Sequence, residues 1–172
     1  MSIAELLADK TKKTKEKAET ISQWLLKNSL SMDELIVFVE SSKDIDKATC
    51  IEALEFATKQ NPKIADESLF DFVTKMLSET PPRVKWESAR VIGNIAHLFP
   101  TKLNKAIPKL LTNCEDDGTV VRWASAYAVG EILKLKTKYN KGLLPAIEAI
   151  CDREEDNGVK KKYLDAIKKT KK

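Results

Sequence analysis

Two stretches of this chain carry the same pattern of apolar and polar positions. Val84, Ser88, Val91, Ile92 and Ile95 recur 37 residues later as Val121, Ser125, Ala128, Val129 and Ile132. Both stretches read Val-basic-Trp-x-Ser-Ala-x-x-aliphatic-Gly-x-Ile. The spacing places the five residues on one stripe of a 3.6-residue helix, so each stretch is predicted to be amphipathic and to bury that stripe. Small Ser and Ala on the stripe let a neighbouring helix come close. Gly93 and Gly130 lie inside the pattern, where glycine costs about 1 kcal/mol relative to alanine. Their recurrence at one register predicts that they admit a neighbouring backbone.

A second pattern keeps the same interval. Ile107-Pro108-x-Leu110-x-x-x-Cys114-Glu115 returns as Leu144-Pro145-x-Ile147-x-x-x-Cys151-Asp152. Phe70, Val73 and Leu77 take the apolar places one period earlier, with Asp71 where the proline would be. A proline in the first helical turn removes an N–H that has no partner there, so Pro108 and Pro145 are expected near helix starts. Each unit reads as helix, short acidic turn, helix. Self-similarity at such a period is the mark of a repeat architecture.

Along the chain, Ser2-Ile3-Ala4-Glu5 and Ser31-Met32-Asp33-Glu34 are capping-box sequences that open helices. The expected division is an N-terminal helix over residues 1–30, a degenerate repeat over 31–62, repeats over 63–100 and 101–139, and a C-terminal capping repeat over 140–172. The degenerate repeat keeps Ile51, Leu54 and Ala57 on its stripe and lacks the Trp and Gly. Terminal units of such arrays deviate because one face meets water. In the last unit Lys161 stands where the Trp would be.

The two-helix unit resembles the HEAT repeat of the armadillo-type superfamily. The resemblance rests on Val-Lys/Arg-x-x-Ser-x-x-x-Ile/Val-Gly in the second helix, with the acidic turns Glu115-Asp116-Asp117 and Glu154-Glu155-Asp156, and spans about three-quarters of the chain. It implies an all-α fold: a short right-handed α-solenoid of about four HEAT-like hairpins behind an N-terminal helix. It also implies that the second helices line a concave face. Trp86, Arg90, Asn94 and His97 fall off the core stripe there, as do Trp123, Tyr127, Glu131 and Lys134. Stacked repeats would set Trp86 beside Trp123 and Arg90 beside Tyr127. Trp86, Arg90, Asn94, Trp123, Tyr127 and Glu131 are therefore the candidate partner-binding residues, since aromatics and Arg dominate binding hot spots. The competing use of the indoles is packing between repeats.

Composition narrows the function classes. The chain has 172 residues, 5 Gly, 6 Pro and a formal charge of +4, and it is expected to form one domain. With no long apolar run and no leader pattern, the expectation is a cytoplasmic protein with no membrane partner. Cys50, Cys114 and Cys151 are an odd set without CxxC spacing and are expected to be buried thiols. His97 is the only histidine, so His-based metal sites and acid–base relays lack material, and no cofactor, metal or catalytic residue is expected.

The charge is unevenly placed. Residues 1–30 carry six Lys against four acids and residues 159–172 seven against one, which leaves 17 basic and 21 acidic residues between them. The best reading is a non-catalytic scaffold or adaptor that grips a protein or peptide on its concave face. The alternative is a nucleic-acid-binding module related to HEAT-like DNA glycosylases. That family places an Asp near its reaction centre, whereas Arg90 and Tyr127 follow the tryptophans here.

Overall fold

A computed structural model describes all 172 residues, Met1–Lys172. It contains ten α-helices: α1 (Ile3–Ala8), α2 (Thr14–Leu26), α3 (Met32–Glu40), α4 (Asp44–Gln60), α5 (Glu67–Met76), α6 (Pro82–Ile95), α7 (Leu103–Asn113), α8 (Thr119–Lys134), α9 (Asn140–Arg153) and α10 (Asn157–Thr170). Short 3-10 turns follow α4 and α6. No helix is long and apolar enough to cross a membrane.

The N-terminal segment differs from the single helix expected. Ser2 does form a full capping box with Glu5, but α1 ends after six residues. Asp9 then accepts from the Thr11 N–H at 2.8 Å and the Thr11 hydroxyl at 2.6 Å, closing a turn. Asp9 to Lys13 offers no apolar side chain to bury, so this local bond wins over helix continuation. Lys17 of α2 reaches back to the Leu7 carbonyl at 2.6 Å and satisfies part of the α1 C-terminus. At the second capping-box sequence only half the motif forms, with Ser31 Oγ accepting from the Glu34 N–H.

The later helices pair as α3/α4, α5/α6, α7/α8 and α9/α10. In each pair the predicted stripe is buried: Val84, Ser88, Val91, Ile92 and Ile95 on α6, and Val121, Ser125, Ala128, Val129 and Ile132 on α8. Val84, Val91, Ile92, Ile95, Ala128, Val129 and Ile132 of these join Leu6, Ile21, Leu35, Ile51, Leu54, Phe70 and Leu110 in one continuous core. Cys50, Cys114 and Cys151 are buried free thiols within it. The terminal repeat closes differently, since Tyr163 is fully buried at the register of Ser88 and Ser125.

Pro108 and Pro145 are not in the first turn. Each is the sixth residue of its helix, because α7 and α9 begin further upstream than the proline rule implies. Leu103 and Leu143 are buried at those upstream ends and draw that extra turn into the fold.

The helices α2, α4, α6, α8 and α10 pack side by side in one row, each extensively against the next. The first helices α3, α5, α7 and α9 meet one another only sparingly. A two-layer array with one row tight and the other splayed must curve toward the tight row. The second helices therefore form the inside of the curve.

Candidate concave binding face

All six candidate residues lie on α6 and α8 within the tight row, and all are half-buried. They divide into residues that tie the repeats together and residues that stand more freely on the face.

Tyr127 couples α8 to α6. Its hydroxyl donates to Asn94 Oδ1 at 2.6 Å, and its ring rests on Gly93. A Cβ at Gly93 would come within 2.3 Å of Tyr127 Cε1, so the glycine admits a side chain here, where a neighbouring backbone was expected. Gly130 is approached by the Ala166 methyl, 3.1 Å from where its Cβ would be, and more distantly by the Lys162 carbonyl. Burial, with Glu131 and Glu55 nearby, pushes the Tyr127 hydroxyl up to about 12, which keeps it a donor at neutral pH.

Asn94 carries the chain of bonds on to α4. Its Nδ2 donates to the Glu55 carbonyl at 3.2 Å and to Thr58 Oγ1 at 3.1 Å. Arg90 also faces α4: it pairs with Glu55 at 3.2 Å and with Glu87 of its own helix at 3.8 Å. The side chains of Glu55 and Glu87 are only 3% and 5% exposed. Two buried carboxylates thus share one guanidinium. Glu87 Oε1 accepts from Trp86 Nε1 at 3.0 Å, while Glu87 Oε2 and Glu55 Oε2 have no donor. Burial pushes the Glu87 carboxyl up to about 7; Arg90 and the Trp86 bond pull the other way, and Glu52 and Glu55 add to the rise.

Trp123 finds its aromatic neighbour on its own helix, where sequence stacking had suggested Trp86. It lies 6.3 Å from the Tyr127 ring at an interplanar angle of 19°. Lys162 of α10 covers this pair, with its Nζ 4.7 Å from the Trp123 centroid and 6.0 Å from that of Tyr127. Glu131 is paired with Lys134 on the same helix. His97 is exposed in the 3-10 turn after α6.

Sequence reasoning missed Glu55, Glu87 and Lys162. Counting from the shared valine, Glu87, Ala124 and Lys162 all hold the fourth position of their repeats. An alanine at that register on α8 was the available signal that the position faces a neighbour.

Two acidic turns bind the basic start of a second helix: Lys85 pairs with Asp116 at 3.0 Å and Arg122 with Glu154 at 3.1 Å, while Arg83 at the start of α6 pairs with Glu52 within α4. Arg122 also donates to the carbonyls of Asp116 and Asp117 at 3.0 Å each.

No family model matches the sequence, and no curated protein matches it. Solved structures do. A designed armadillo repeat protein in complex with the peptide (KR)4 is similar over 98% of this chain and 80% of its own, at 18% identity and a TM-score of 0.74. One chain in the structure of the complex of CpcE and CpcF of phycocyanin lyase from Nostoc sp. PCC7120 is similar over 95% of this chain and 94% of its own, also at 18% identity and a TM-score of 0.74. A computationally designed armadillo repeat protein for modular peptide recognition gives 17% identity and 0.71 over 97% of this chain and 80% of its own. The chain has a HEAT/armadillo-type α-solenoid fold.

Proposed function

We propose that this protein is a non-catalytic scaffold or adaptor that holds a protein or peptide segment against the row α4, α6, α8 and α10. The observation that carries the reading is the internal use of Arg90, Asn94 and Tyr127. These three residues, with Glu55 and Thr58, lock adjacent second helices together and make the face rigid. On that rigid face Trp86 and Trp123 are half-buried and offer apolar area at low ordering cost. The similar solved structures support the same reading, since two of them are described by the peptides they bind or recognise. Its three free, buried thiols suit a reducing compartment, and we place the protein in the cytoplasm.

The test is a pull-down from native extract with wild-type protein and with the Trp86→Ala/Trp123→Ala double variant, each treated with nuclease. The reading expects a protein partner that survives nuclease and disappears with the two indoles while the fold is retained. A partner retained by the double variant, or one that nuclease removes, overturns it.

A further inference from the structure

We infer that the segment held on this face carries an acidic side chain, Asp or Glu, next to an apolar or aromatic residue, and that Lys162 receives its carboxylate while Trp123 receives its neighbour. The inference rests on the proposed peptide-binding reading and names the chemistry of the peptide. Its basis is the charge pairing along the row. Three acids in the middle of the row are matched within the chain: Glu52 by Arg83, Glu55 by Arg90 and Glu131 by Lys134; Asp44 and Asp46 at the start of α4 and Asp165 on α10 form no ion pair. Glu87 is buried behind Trp86 and shares Arg90, so it presents no charge outward.

Lys162 is different. It is half-buried, it forms no ion pair, and its ammonium lies against the faces of Trp123 and Tyr127. Two rings remove water from one side of the ammonium and fix where it stands, but they supply no countercharge. An ammonium so placed is short of an anionic partner on its open side. Lys160 and Lys161 precede it on the same helix and neither is in an ion pair, so three unpaired lysines stand against the single acid of α10, Asp165, and the C-terminal end of the face is positive while the middle is internally neutralised. Charge complementarity thus selects an anion at α10. The indole one helix away selects an apolar neighbour for it. A basic segment would have to displace Lys162 from the rings, and the one acid of α10, Asp165, shares its helix with Lys160, Lys161 and Lys162.

The experiment is selection of a phage-displayed random dodecapeptide library against the wild-type protein and the Lys162→Ala variant, followed by affinity measurements with the selected peptides. Wild type is expected to enrich Asp or Glu within two residues of Trp, Phe, Tyr or Leu. Replacing that acid by its amide should weaken binding about tenfold, the scale of one charge-assisted hydrogen bond. Lys162→Ala should cost the same factor and make the amide replacement silent, whereas Lys162→Arg should retain the acidic preference. Enrichment of Lys- or Arg-rich peptides, an acidic preference that survives Lys162→Ala, or no enrichment at all each overturns the inference. Tight binding of a 15-mer single-stranded oligonucleotide that is lost with Lys162→Ala would assign the ammonium to phosphate and overturn it as well. The scaffold reading stands or falls separately, on the double-indole pull-down.

Discussion

Replacing Glu87 by glutamine should stabilise the protein at alkaline pH and leave it nearly unchanged in mild acid. The side chain is 5% exposed, it competes with Glu55 for Arg90, and its Oε2 meets no donor. Burial raises its pKa from an ordinary 4.5 to about 7. For an acid whose folded value is raised, the unfolded chain releases its proton first. Stability therefore falls as pH rises from about 4.5 to about 7 and is level above that window. The difference corresponds to about 3 kcal/mol between pH 4 and pH 8, at about 1.4 kcal/mol per pH unit. Glutamine removes the ionisation and keeps an oxygen for the Trp86 Nε1 donor. It forfeits the weaker of the two Arg90 contacts, which reduces the expected gain to about 1–3 kcal/mol at pH 8. Urea denaturation of both proteins at pH 5 and pH 8 reads the effect directly. A variant less stable than wild type at pH 8, or a difference between the two proteins that is the same at both pH values, refutes the reasoning.

Other expectations follow from named contacts. Gly93→Ala should cost about 1–3 kcal/mol in thermal or urea denaturation because its methyl overlaps the Tyr127 ring, and the same change in a Tyr127→Ala background should cost little. Tyr127→Phe, which removes the 2.6 Å bond to Asn94, should lose about 1 kcal/mol by urea denaturation. Arg122→Ala leaves Glu154, 4% exposed, without its cation and should cost about 3 kcal/mol by urea denaturation, clearly more than Lys102→Ala, whose partners Glu67 and Asp71 are exposed. Lys136 has φ of 56°, so Lys136→Gly should raise stability by about 0.5–1 kcal/mol, read from the thermal midpoint.

The fold was legible because the sequence says the same thing twice. Val84 to Ile95 and Val121 to Ile132 fix both the helical phase and the repeat length, and every residue they assigned to the stripe is buried. Features that occur once were harder. The break between α1 and α2 depends on the Asp9–Thr11 turn, which a stripe-based reading passes over. Pro108 and Pro145 were placed by a rule about helix starts, and the helices begin earlier because Leu103 and Leu143 reach the core.

At the candidate face, a helical wheel shows which side a residue occupies and says nothing about how far a long side chain reaches. Arg90, Asn94 and Tyr127 sit off the stripe as expected, yet they turn sideways onto α4 and α6. Glu87 was hidden for the converse reason: a charged residue at its register reads as solvated until a second buried carboxylate and a shared arginine come into view.

The most direct test of the scaffold account is hydroxyl-radical footprinting of the protein with its captured partner bound. The account predicts that protection centres on Trp86 and Trp123 along the row of second helices, with Ile107, Leu111, Tyr139 and Leu144 of the outer layer as reactive as in the free protein. Protection confined to the outer layer or to the lysines after Ile167, with both indoles unchanged, would contradict it.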